Sequence, residues 1–409
     1  MATKRQRIEE ALQGRFEFRY NVLTGSIEYR KKDGAVYLPH TNYVMNSIIR
    51  EIDRDYNENI TEAMYYSIIM SDFTEGYHPV EFYFYEHLKG LGETSSTAAI
   101  ERLASTVTVA NPDAWYLSLK RWLVASVANG LTAKGCQNHT CIVFTGGMGL
   151  FKTTWLNLLC PPILAPDAIM AGKINLNLAD KDTFMLLATK FIINLDDQLR
   201  NLMKKDSETM KTLITQGEVS VRRPFAKFSE TLARMANFVA SINGQEFMAE
   251  DENRRFLPFL VTAIDINAAQ GINMNEVWNE AYYLWKSGFK YWWSKDELEE
   301  YFPDIKSFAF ASDELEQITN FFKVPETKAE GNVLMNAGDI QAFIRNKTGL
   351  ILSTRKIGQA LTTLNAIVVT VRVNSVPIKK YALIEIDKTD TPEKLMEKQE
   401  MNLKKPIYK

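Results

Sequence analysis

The chain has 409 residues and carries 48 Lys and Arg against 50 Asp and Glu, a formal net charge of −2. This balance excludes a protein that binds polyanions through bulk charge, although local basic patches remain possible. Hydrophobic residues make up 46% of the chain, which is enough for a sizeable core, and the length predicts two or three domains.

The three cysteines, Cys136, Cys141 and Cys160, form neither a disulfide framework nor a zinc ribbon pattern. Cys136, His139 and Cys141 are close in sequence, but a fourth ligand is missing and the spacing differs from that of zinc sites. Free thiols in a reducing compartment are the simpler interpretation. Because the sequence has no signal peptide and no apolar run long enough to span a bilayer, we expect a soluble cytoplasmic protein with no membrane partner.

The first 130 residues have the apolar spacing of helices and few Pro or Gly, so we predict a helical, collar-like amino-terminal domain over residues 1–135. One helix is expected to begin at Pro112 and to bury an apolar stripe that includes Trp115. Another is expected to have Pro79 in its first turn.

Three short apolar runs, at 141–144, 191–195 and 238–242, contain no charged residue and alternate with helical segments. Such runs are typical of parallel strands that are buried on both faces. The sequence therefore predicts an α/β core from about 140 to 265. With a helical extension, this core is expected to form a domain over residues 136–323.

Residues 324–332 have the composition of a linker. Four elements are expected beyond them: helices around 337–347 and 353–365, and strands at 367–373 and 378–386. Helix, helix and β-hairpin is the order of a winged helix, so we predict a winged-helix domain over 333–387. The charged, apolar-poor residues 388–409 are expected to form a mobile tail.

A glycine-rich loop follows the first of the apolar runs. It contains Gly146, Gly147, Met148, Gly149, Leu150, Phe151, Lys152, Thr153 and Thr154. The order strand–GxxxxGK[ST]–helix is matched except at Phe151, where the motif has glycine. In this motif backbone N–H groups surround phosphate oxygens, the lysine reaches the β- and γ-phosphates, and the hydroxyl binds Mg²⁺. The loop predicts a site for ATP and Mg²⁺; the alternative is a turn that binds nothing.

Polar residues end the other two runs. Asp196 and Asp197 follow the second run, where in a P-loop ATPase the first acid holds the Mg²⁺ shell and the second orients or activates water. The alternative is a pair of helix-capping residues. Asn243 follows the third run and is a candidate for sensing the γ-phosphate, unless it only forms a turn before Gly244.

Arg254 and Arg255 have no acidic residue four positions further along the chain. They are therefore candidates for an arginine finger, which stabilises charge on the γ-phosphate bound to a neighbouring subunit. A surface salt bridge is the competing interpretation.

The window 204–234 holds seven Lys and Arg against four Asp and Glu, and Val219 and Val221 alternate with polar residues in it. This pattern suggests a hairpin arm. Three residues of the arm are candidate DNA contacts: Arg222, Arg223 and Lys227. Basic residues on an arm suit sequence-independent contact with the DNA backbone. A solvated charged face is the alternative.

The expected winged helix is also basic. Its second helix has Ser353 as the expected N-cap and Arg355 and Lys356 in the first turn, where cations oppose the helix dipole. A recognition helix that enters the major groove of DNA would explain this placement. With Lys379 and Lys380 of the hairpin, these residues are candidate DNA contacts. A winged helix that binds protein is the alternative.

Taken in this order, the motifs resemble those of the virulence-associated protein E family, superfamily 3-like replicative helicases of phages, plasmids and other mobile elements. The resemblance covers roughly residues 15–390. It rests on residues 77–80, the helix at 115–129, the loop at 146–154, Asp196 and Asp197, residues 222–225, Asn243, and residues 253–258.

The resemblance implies an AAA+-like ATPase core in a homo-oligomeric ring, usually a hexamer, that moves on single-stranded or forked DNA. It implies a nucleotide and Mg²⁺ role for Lys152 and Thr153, the second acidic motif for Asp196 and Asp197, a sensor role for Asn243, and the finger for Arg254 or, second, Arg255. Two departures, Phe151 and an Asp at 197 where many relatives have Glu, affect the expected hydrolysis rate more than nucleotide binding.

Three functions follow as hypotheses. The first is a Mg²⁺- and ATP-dependent DNA helicase or translocase that replicates a mobile element. The second is a DNA-binding replication-initiation or regulatory protein whose loop, altered at Phe151, binds nucleotide weakly or not at all. The third is an ATPase scaffold that recruits a separate primase, since no primase motif accompanies the core.

Overall fold

The computed structural model describes residues 2–92, 98–132, 135, 137–165, 169–171, 176, 180–223, 227–248, 254–310, 313–373 and 376–386. The chain divides into two compact units, one that ends at Ala309 and one that begins at Phe310. Each unit combines helices with β-sheet, so the fold is mixed α/β. The finer domain boundaries given above stay predictions.

The first unit begins with three helices and a four-stranded sheet. These elements are α1 (Lys4–Arg15), β1 (Phe16–Asn21), β2 (Ser26–Lys31), β3 (Leu38–Pro39), α2 (Asn42–Tyr56), α3 (Glu62–Ile69) and β4 (Glu75–Tyr77). The strand order is β3-β2-β1-β4, with β1 antiparallel to β2 and parallel to β4. The core between helices and sheet includes Ile8, Leu12, Ile48, Ile52 and Ile68.

The prediction of a mostly helical start omits this sheet. In β1 the apolar Phe16, Phe18 and Tyr20 alternate with Glu17 and Arg19, and the apolar side chains pack against the core that the helices cover. Alternation with period two is the signal of a half-buried strand. The sequence therefore carried the evidence for the sheet, in a segment whose other elements are helical.

A second, larger sheet forms the centre of the first unit. The elements that build it and surround it are α4 (Pro79–Phe82), a π-helix (Tyr83–His87), a 3₁₀-helix (Leu88–Leu91), α5 (Ala99–Ala104), β5 (Val107–Val109), α6 (Pro112–Leu131), β6 (Cys141–Thr145), α7 (Lys152–Leu158), β7 (Ile169–Ala171), α8 (Lys181–Thr189), β8 (Ile192–Asn194), α9 (Gln198–Thr215), β9 (Glu218–Val221), β10 (Glu230–Ala233), β11 (Asn237–Ser241), β12 (Phe256–Ile264), α10 (Ile266–Gln270), α11 (Met274–Lys286), α12 (Lys295–Tyr301) and a 3₁₀-helix (Ile305–Phe308).

The six strands of this central sheet lie in the order β5-β12-β6-β11-β8-β7. All neighbours are parallel except β5, which is antiparallel to β12. Cys141 of β6 is opposite Phe238 of β11 and Phe256 of β12, so these three strands begin at one level. The prediction of a parallel α/β core is confirmed, and its three apolar runs are β6, β8 and β11.

The long helix α6 packs on the central sheet as predicted. It begins at Pro112, and Asn111 caps it by accepting a hydrogen bond from the N–H of Ala114 (3.1 Å). Trp115 is fully buried, and its ring centroid lies 5.1 Å from those of Phe144 and Phe259. The apolar stripe on this helix is therefore core. Pro79 likewise lies in the first turn of α4.

Strands β9 and β10 form a separate antiparallel hairpin, with Val221 opposite Glu230. Val219 and Val221 are buried and the residues between them are exposed. The predicted hairpin arm is therefore present.

The second unit contains the helix, helix and hairpin that the sequence predicts. Its elements are α13 (Asp313–Phe321), β13 (Phe322–Lys323), a 3₁₀-helix (Lys328–Glu330), β14 (Val333–Met335), α14 (Ala337–Thr348), α15 (Thr354–Thr363), β15 (Val368–Val373) and β16 (Val376–Glu385). β15 is antiparallel to β16. Ile318, Ile340, Ile344, Ile357 and Leu361 form the core. Residues 374–375, between the two strands, and the predicted tail at 388–409 lie outside the described residues.

Candidate functional site

The glycine-rich loop leaves the carboxyl end of β6, the central strand. Gly146 has φ +125°, and a Cβ there would lie 2.6 Å from the carbonyl oxygen of Val261, so only glycine fits. The N–H of Gly146 donates to the carbonyl of Gly244 (3.0 Å), and the N–H of Gly244 donates to the carbonyl of Gly146 (3.2 Å). These contacts fix the start of the loop against the end of the neighbouring strand.

Phe151 adopts the backbone conformation that the motif assigns to glycine. Its φ of 58° and ψ of 21° lie in the left-handed region, which costs an L-residue roughly 1–2 kcal/mol. The side chain is 55% exposed. The loop therefore keeps the path of the motif at some cost in stability.

Lys152 follows at the start of α7 and is buried, with 6% of its surface exposed. Its Nζ donates to the carbonyl oxygens of Gly146 (3.2 Å) and Gly147 (2.5 Å), and lies 3.4 Å from Oδ1 of Asn243. Burial lowers the pKa of Lys152, and the negative charges of Asp197 and Asp196 oppose this shift. The ammonium group is therefore held inside the loop by weak neutral acceptors, which an anion could replace.

Three oxygen-bearing side chains from three elements meet beside Lys152. Thr153 Oγ1 donates to Asp196 Oδ1 (2.7 Å), and Ser241 Oγ donates to the same oxygen (2.6 Å). The two hydroxyl oxygens are 2.8 Å apart. Hard oxygen donors of this kind are the ligands that Mg²⁺ takes, usually with only one or two carboxylates. Among the described residues no group of three or more His, Cys, Asp and Glu offers another metal site.

Ser241 was not among the predicted site residues. It is the last residue of β11, two positions before Asn243. Because parallel strands end at the same edge of the sheet, a polar residue at the end of β11 is placed next to the acid that follows β8. The position of Ser241 at the end of a parallel strand was the signal from which its place in the site could have been predicted.

Asp197 and Asn243 form a second pair at the same edge. The N–H of Asn243 donates to Asp197 Oδ1 (3.1 Å), and its Nδ2 donates to Oδ2 (2.8 Å). Asn194 Oδ1 accepts a hydrogen bond from the N–H of Asp196 (3.1 Å), which fixes the turn after β8. The amides of Asn243 therefore orient the Asp197 carboxylate, whereas the hydroxyls of Thr153 and Ser241 orient the Asp196 carboxylate.

These residues surround one cleft of about 420 Å³. It is lined by Met148, Gly149, Leu150, Phe151, Lys152, Thr153, Thr154, Asp196, Asp197, Ser241 and Asn243. The structure thus brings most of the predicted loop, both acids and the predicted sensor residue to one place.

Arg254 and Arg255 lie at the other end of the sheet. They precede β12, whose Phe256 is opposite Cys141 and whose Leu260 is opposite Thr145. The strand length between these ends is roughly 13 Å. The arginines line a different cavity, of about 700 Å³, with His139, Tyr291, Trp292 and Trp293 among its other lining residues. Within one chain they therefore do not reach the loop.

The predicted DNA contacts on the hairpin arm separate into two kinds. Arg222 and Lys227 are exposed. Arg223 is only 7% exposed and is hydrogen-bonded to Glu230 and to backbone carbonyls of residues 22 and 23. The guanidinium group of Arg223 makes its hydrogen bonds within the protein, so we do not propose Arg223 as a direct DNA contact. Residues 224–226 lie outside the described part of the chain.

In the second unit, Ser353 caps α15 as predicted, and Arg355, Lys356 and Lys379 are exposed. Lys380 is half-buried, and its Nζ lies 3.3 Å from Oδ2 of Asp339. Asp339 therefore partly neutralises the positive charge of Lys380.

The sequence also placed Cys136, His139 and Cys141 near one another. Cys141 is fully buried in β6, where burial raises the pKa of its thiol. His139 is exposed, and Cys136 lies outside the described residues. An inert buried thiol at Cys141 agrees with the interpretation of free thiols.

The geometry defines a mixed α/β protein with a glycine-rich loop and paired acids at the carboxyl edge of a largely parallel sheet. Residues 88–309 match the virulence-associated protein E-like domain. Because this match spans more than half of the chain, the protein belongs to the virulence-associated protein E-like family, as the motifs predicted.

No curated protein matches the chain. Among solved structures, the apo structure of the NrS-1 C-terminal region (305–718) is 14% identical, with 94% of this chain and 100% of that chain covered and a TM-score of 0.48. The A form apo structure of the same region is 15% identical, with 92% and 98% covered and a TM-score of 0.45. Similarities at this level support no inference about the chain.

In the part of the chain that the structure describes, no helix has the length and apolar character required to cross a bilayer.

Proposed function

We propose that the protein is a Mg²⁺-dependent P-loop ATPase with an AAA+-like core that moves on DNA during replication of a mobile element. One observation carries this proposal: Lys152, Thr153, Asp196, Ser241 and Asn243 line a single open cleft although they come from three separate segments. Membership of the virulence-associated protein E-like family supports it.

The residues present fit a magnesium nucleotide. Thr153 and Asp196 would hold the ion, and Ser241 would orient the Asp196 carboxylate by the hydrogen bond it already donates. When bound, the ion neutralises charge on the phosphate oxygens. Lys152 would exchange its carbonyl acceptors for phosphate oxygens. This exchange is favourable, because it pairs the buried ammonium group with oxygens of opposite charge in place of neutral carbonyl oxygens.

Asp197 is the candidate for orienting the attacking water and accepting its proton. Asn243 holds this carboxylate by two hydrogen bonds, so the amide positions the base and also lies 3.4 Å from Lys152 Nζ. A residue that contacts both the base and the phosphate-binding lysine is suited to report the presence of the γ-phosphate.

No arginine is among the described residues that line the cleft, and Arg254 and Arg255 lie at the opposite end of the sheet. A head-to-tail ring, which we propose is a hexamer, would bring these arginines to the cleft of the next subunit. Arg254 is the first candidate for the finger, since it is exposed.

DNA is the proposed partner of the exposed basic residues. Arg222 and Lys227 would contact the phosphate backbone from the hairpin. In the second unit, proposed to be a winged helix, Arg355 and Lys356 begin a helix that would enter a groove, with Lys379 on the adjoining hairpin.

One observation favours a second candidate function. Phe151 stands where the motif has glycine, and its left-handed conformation destabilises the loop, so the loop would bind nucleotide more weakly than one with glycine there. The protein would then be a DNA-binding initiation or regulatory protein that binds nucleotide weakly.

Titration with ATP and a non-hydrolysable analogue, together with ATP turnover, distinguishes these functions. We expect wild-type protein to bind Mg-ATP and to turn it over faster with single-stranded DNA. The Lys152→Ala change should weaken nucleotide binding at least about tenfold and abolish turnover. The exposed Lys89→Ala is the matched control. Absence of binding at millimolar nucleotide would overturn the ATPase and favour the second candidate.

A further inference from the structure

The hairpin formed by β9 and β10 depends on contacts outside itself. It has only two strands and pairs with no other described strand. An isolated two-stranded hairpin is marginally stable in water. Val219 and Val221 bury one face. Arg234, which follows the second strand, is buried and donates to the carbonyl of Asn138, and Arg223, two residues after the first strand, is a further anchor.

Arg223 is held by three hydrogen bonds that use each of its guanidinium nitrogens. Nε donates to Glu230 Oε1 across the hairpin (2.9 Å), Nη1 donates to the carbonyl of Leu23 (2.7 Å), and Nη2 donates to the carbonyl of Val22 (2.8 Å). The guanidinium fork thus joins the hairpin to the turn between β1 and β2.

That turn is shaped to receive the arginine. Asn21 Oδ1 accepts hydrogen bonds from the N–H groups of Leu23 (3.1 Å) and Thr24 (3.2 Å), and the N–H of Gly25 donates to the carbonyl of Asn21 (2.8 Å). The turn therefore satisfies its own donors and presents the carbonyls of residues 22 and 23 to Arg223. Gly25 has φ +71°, and a Cβ there would lie 2.6 Å from Cδ and Nη1 of Arg223.

We propose that this contact, the Arg223 latch (Arg223 with Val22, Leu23, Gly25 and Glu230), sets the position of the hairpin and makes the amino-terminal sheet a determinant of DNA binding. The inference rests on the proposed DNA-binding function. Arg223 is a positioning residue, and the adjacent Arg222 and the nearby Lys227 make the contacts. The family match covers residues 88–309, so the latch couples the family domain to a sheet outside it.

The mechanism follows from the sequence position of the latch. Arg222 precedes the anchored residue by one position, so its backbone is fixed wherever Arg223 is fixed. Phosphate contacts are effective only when several cations align along one backbone. Releasing the latch would leave Arg222 and Lys227 in place in the sequence but would spread their positions in space, which weakens binding through the entropy of ordering the arm.

Two variants test the latch without removing a positive charge. Arg223→Lys keeps the charge but loses the fork, and Gly25→Ala pushes a methyl group into the guanidinium and changes no charged group. Gly92→Ala is the matched control, because Gly92 also has a positive φ (+64°) and nothing lies within 4 Å of its Cβ position. Each full-length variant is measured for single-stranded DNA affinity, nucleotide affinity, and amide hydrogen exchange in β9 and β10.

We expect Arg223→Lys and Gly25→Ala to weaken binding of a single-stranded oligonucleotide at least about fivefold, the lower range of a coupling between sites. Nucleotide affinity should stay within about twofold of wild type, and amides of β9 and β10 should exchange faster. Gly92→Ala should change none of these. A role limited to fold stability would lower the midpoint of unfolding and leave DNA affinity unchanged.

Several results would overturn the latch. If Gly25→Ala binds DNA like wild type while Arg223→Lys does not, Arg223 contacts DNA directly. If neither variant loses affinity, hairpin position does not control binding. If Arg223→Lys fails to fold, Gly25→Ala and Glu230→Gln decide by the same measurements. Wild-type protein that binds no single-stranded DNA would remove the proposed DNA function itself, and the latch with it.

Discussion

Lys152 and Arg223 are both buried cations that donate to backbone carbonyls, yet they belong to different kinds of site. Lys152 lies against an open cleft of about 420 Å³ and is bonded only to neutral acceptors. Arg223 is closed in by Gly25, a carboxylate and two carbonyls. A buried cation next to open space is available to a ligand, and one in a filled site is part of the fold.

The difference also explains which of the two could be predicted. Lys152 is positioned by a strand, loop and helix that are contiguous in sequence, so a motif describes its surroundings. Arg223 meets carbonyls that lie 200 and 201 residues away. A count of basic residues in a window contains no information about such distant partners.

The open cleft would be completed by an arginine, and removing it has the largest expected effect. Arg254→Ala should lower ATP turnover about 1,000-fold and leave nucleotide affinity within about twofold, since the finger acts on the transition state. Turnover and calorimetric titration measure the two effects. The exposed Arg54→Ala is the control.

Mixing two inactive variants tests whether the arginine acts between subunits. Mixed assemblies of Lys152→Ala and Arg254→Ala contain some clefts with both an intact loop and an intact finger, so activity should return. No recovery on mixing, with assembly confirmed by particle mass, would contradict a finger in trans.

Ser241 sharpens the description of the open cleft, because it donates to the same Asp196 oxygen as Thr153. Ser241→Ala should raise the Mg²⁺ concentration needed for half-maximal turnover roughly tenfold, as expected for a residue that orients a metal ligand. A Mg²⁺ titration of turnover measures this. Ser118→Ala, a buried serine in α6 whose hydroxyl has no hydrogen-bond partner, should change nothing. An unchanged Mg²⁺ requirement in Ser241→Ala would separate Ser241 from the metal site.

Replacing Phe151 by glycine tests whether the left-handed conformation of this residue destabilises the protein. Phe151→Gly should stabilise the protein by roughly 0.5–1 kcal/mol, because the relief of the left-handed conformation exceeds the entropy that glycine adds to the unfolded chain. Urea unfolding measures the change. Gly149→Ala, with φ +80° and open space at its Cβ position, should have the opposite sign. A destabilised Phe151→Gly would mean that the ring makes packing contacts of its own.

The smallest expected effect concerns the exposed residues that flank the latch. Arg222→Ala and Lys227→Ala should each lower the slope of log affinity for single-stranded DNA against log salt by about 0.7, with a severalfold loss of affinity. Binding at several salt concentrations measures the slope. Lys295→Ala, whose side chain is 87% exposed, is the control. If both slopes equal that of wild type, neither Arg222 nor Lys227 contacts the DNA backbone.

Periodicity and motif spacing predicted the elements whose pattern is contained in one contiguous stretch of sequence. The strands at 141–145, 192–194 and 237–241 and the helices and hairpin of the second unit are examples. The amino-terminal sheet was missed because a short period-two pattern lies among helical segments. Ser241 was missed because its role appears only when β8 and β11 are neighbours.

The family match begins at residue 88, but the packed core does not. Phe84 is buried with its ring centroid 6.0 Å from that of Trp278, and Tyr83 donates a hydrogen bond from its hydroxyl to Asn275 Oδ1 (2.9 Å). A recombinant fragment that begins at residue 88 would lack both aromatic rings. The apolar surface of α11 that these rings cover would then be exposed to water. Expression boundaries for the family domain therefore belong upstream of Pro79, and fragments that also retain the sheet before it keep the carbonyls that hold Arg223.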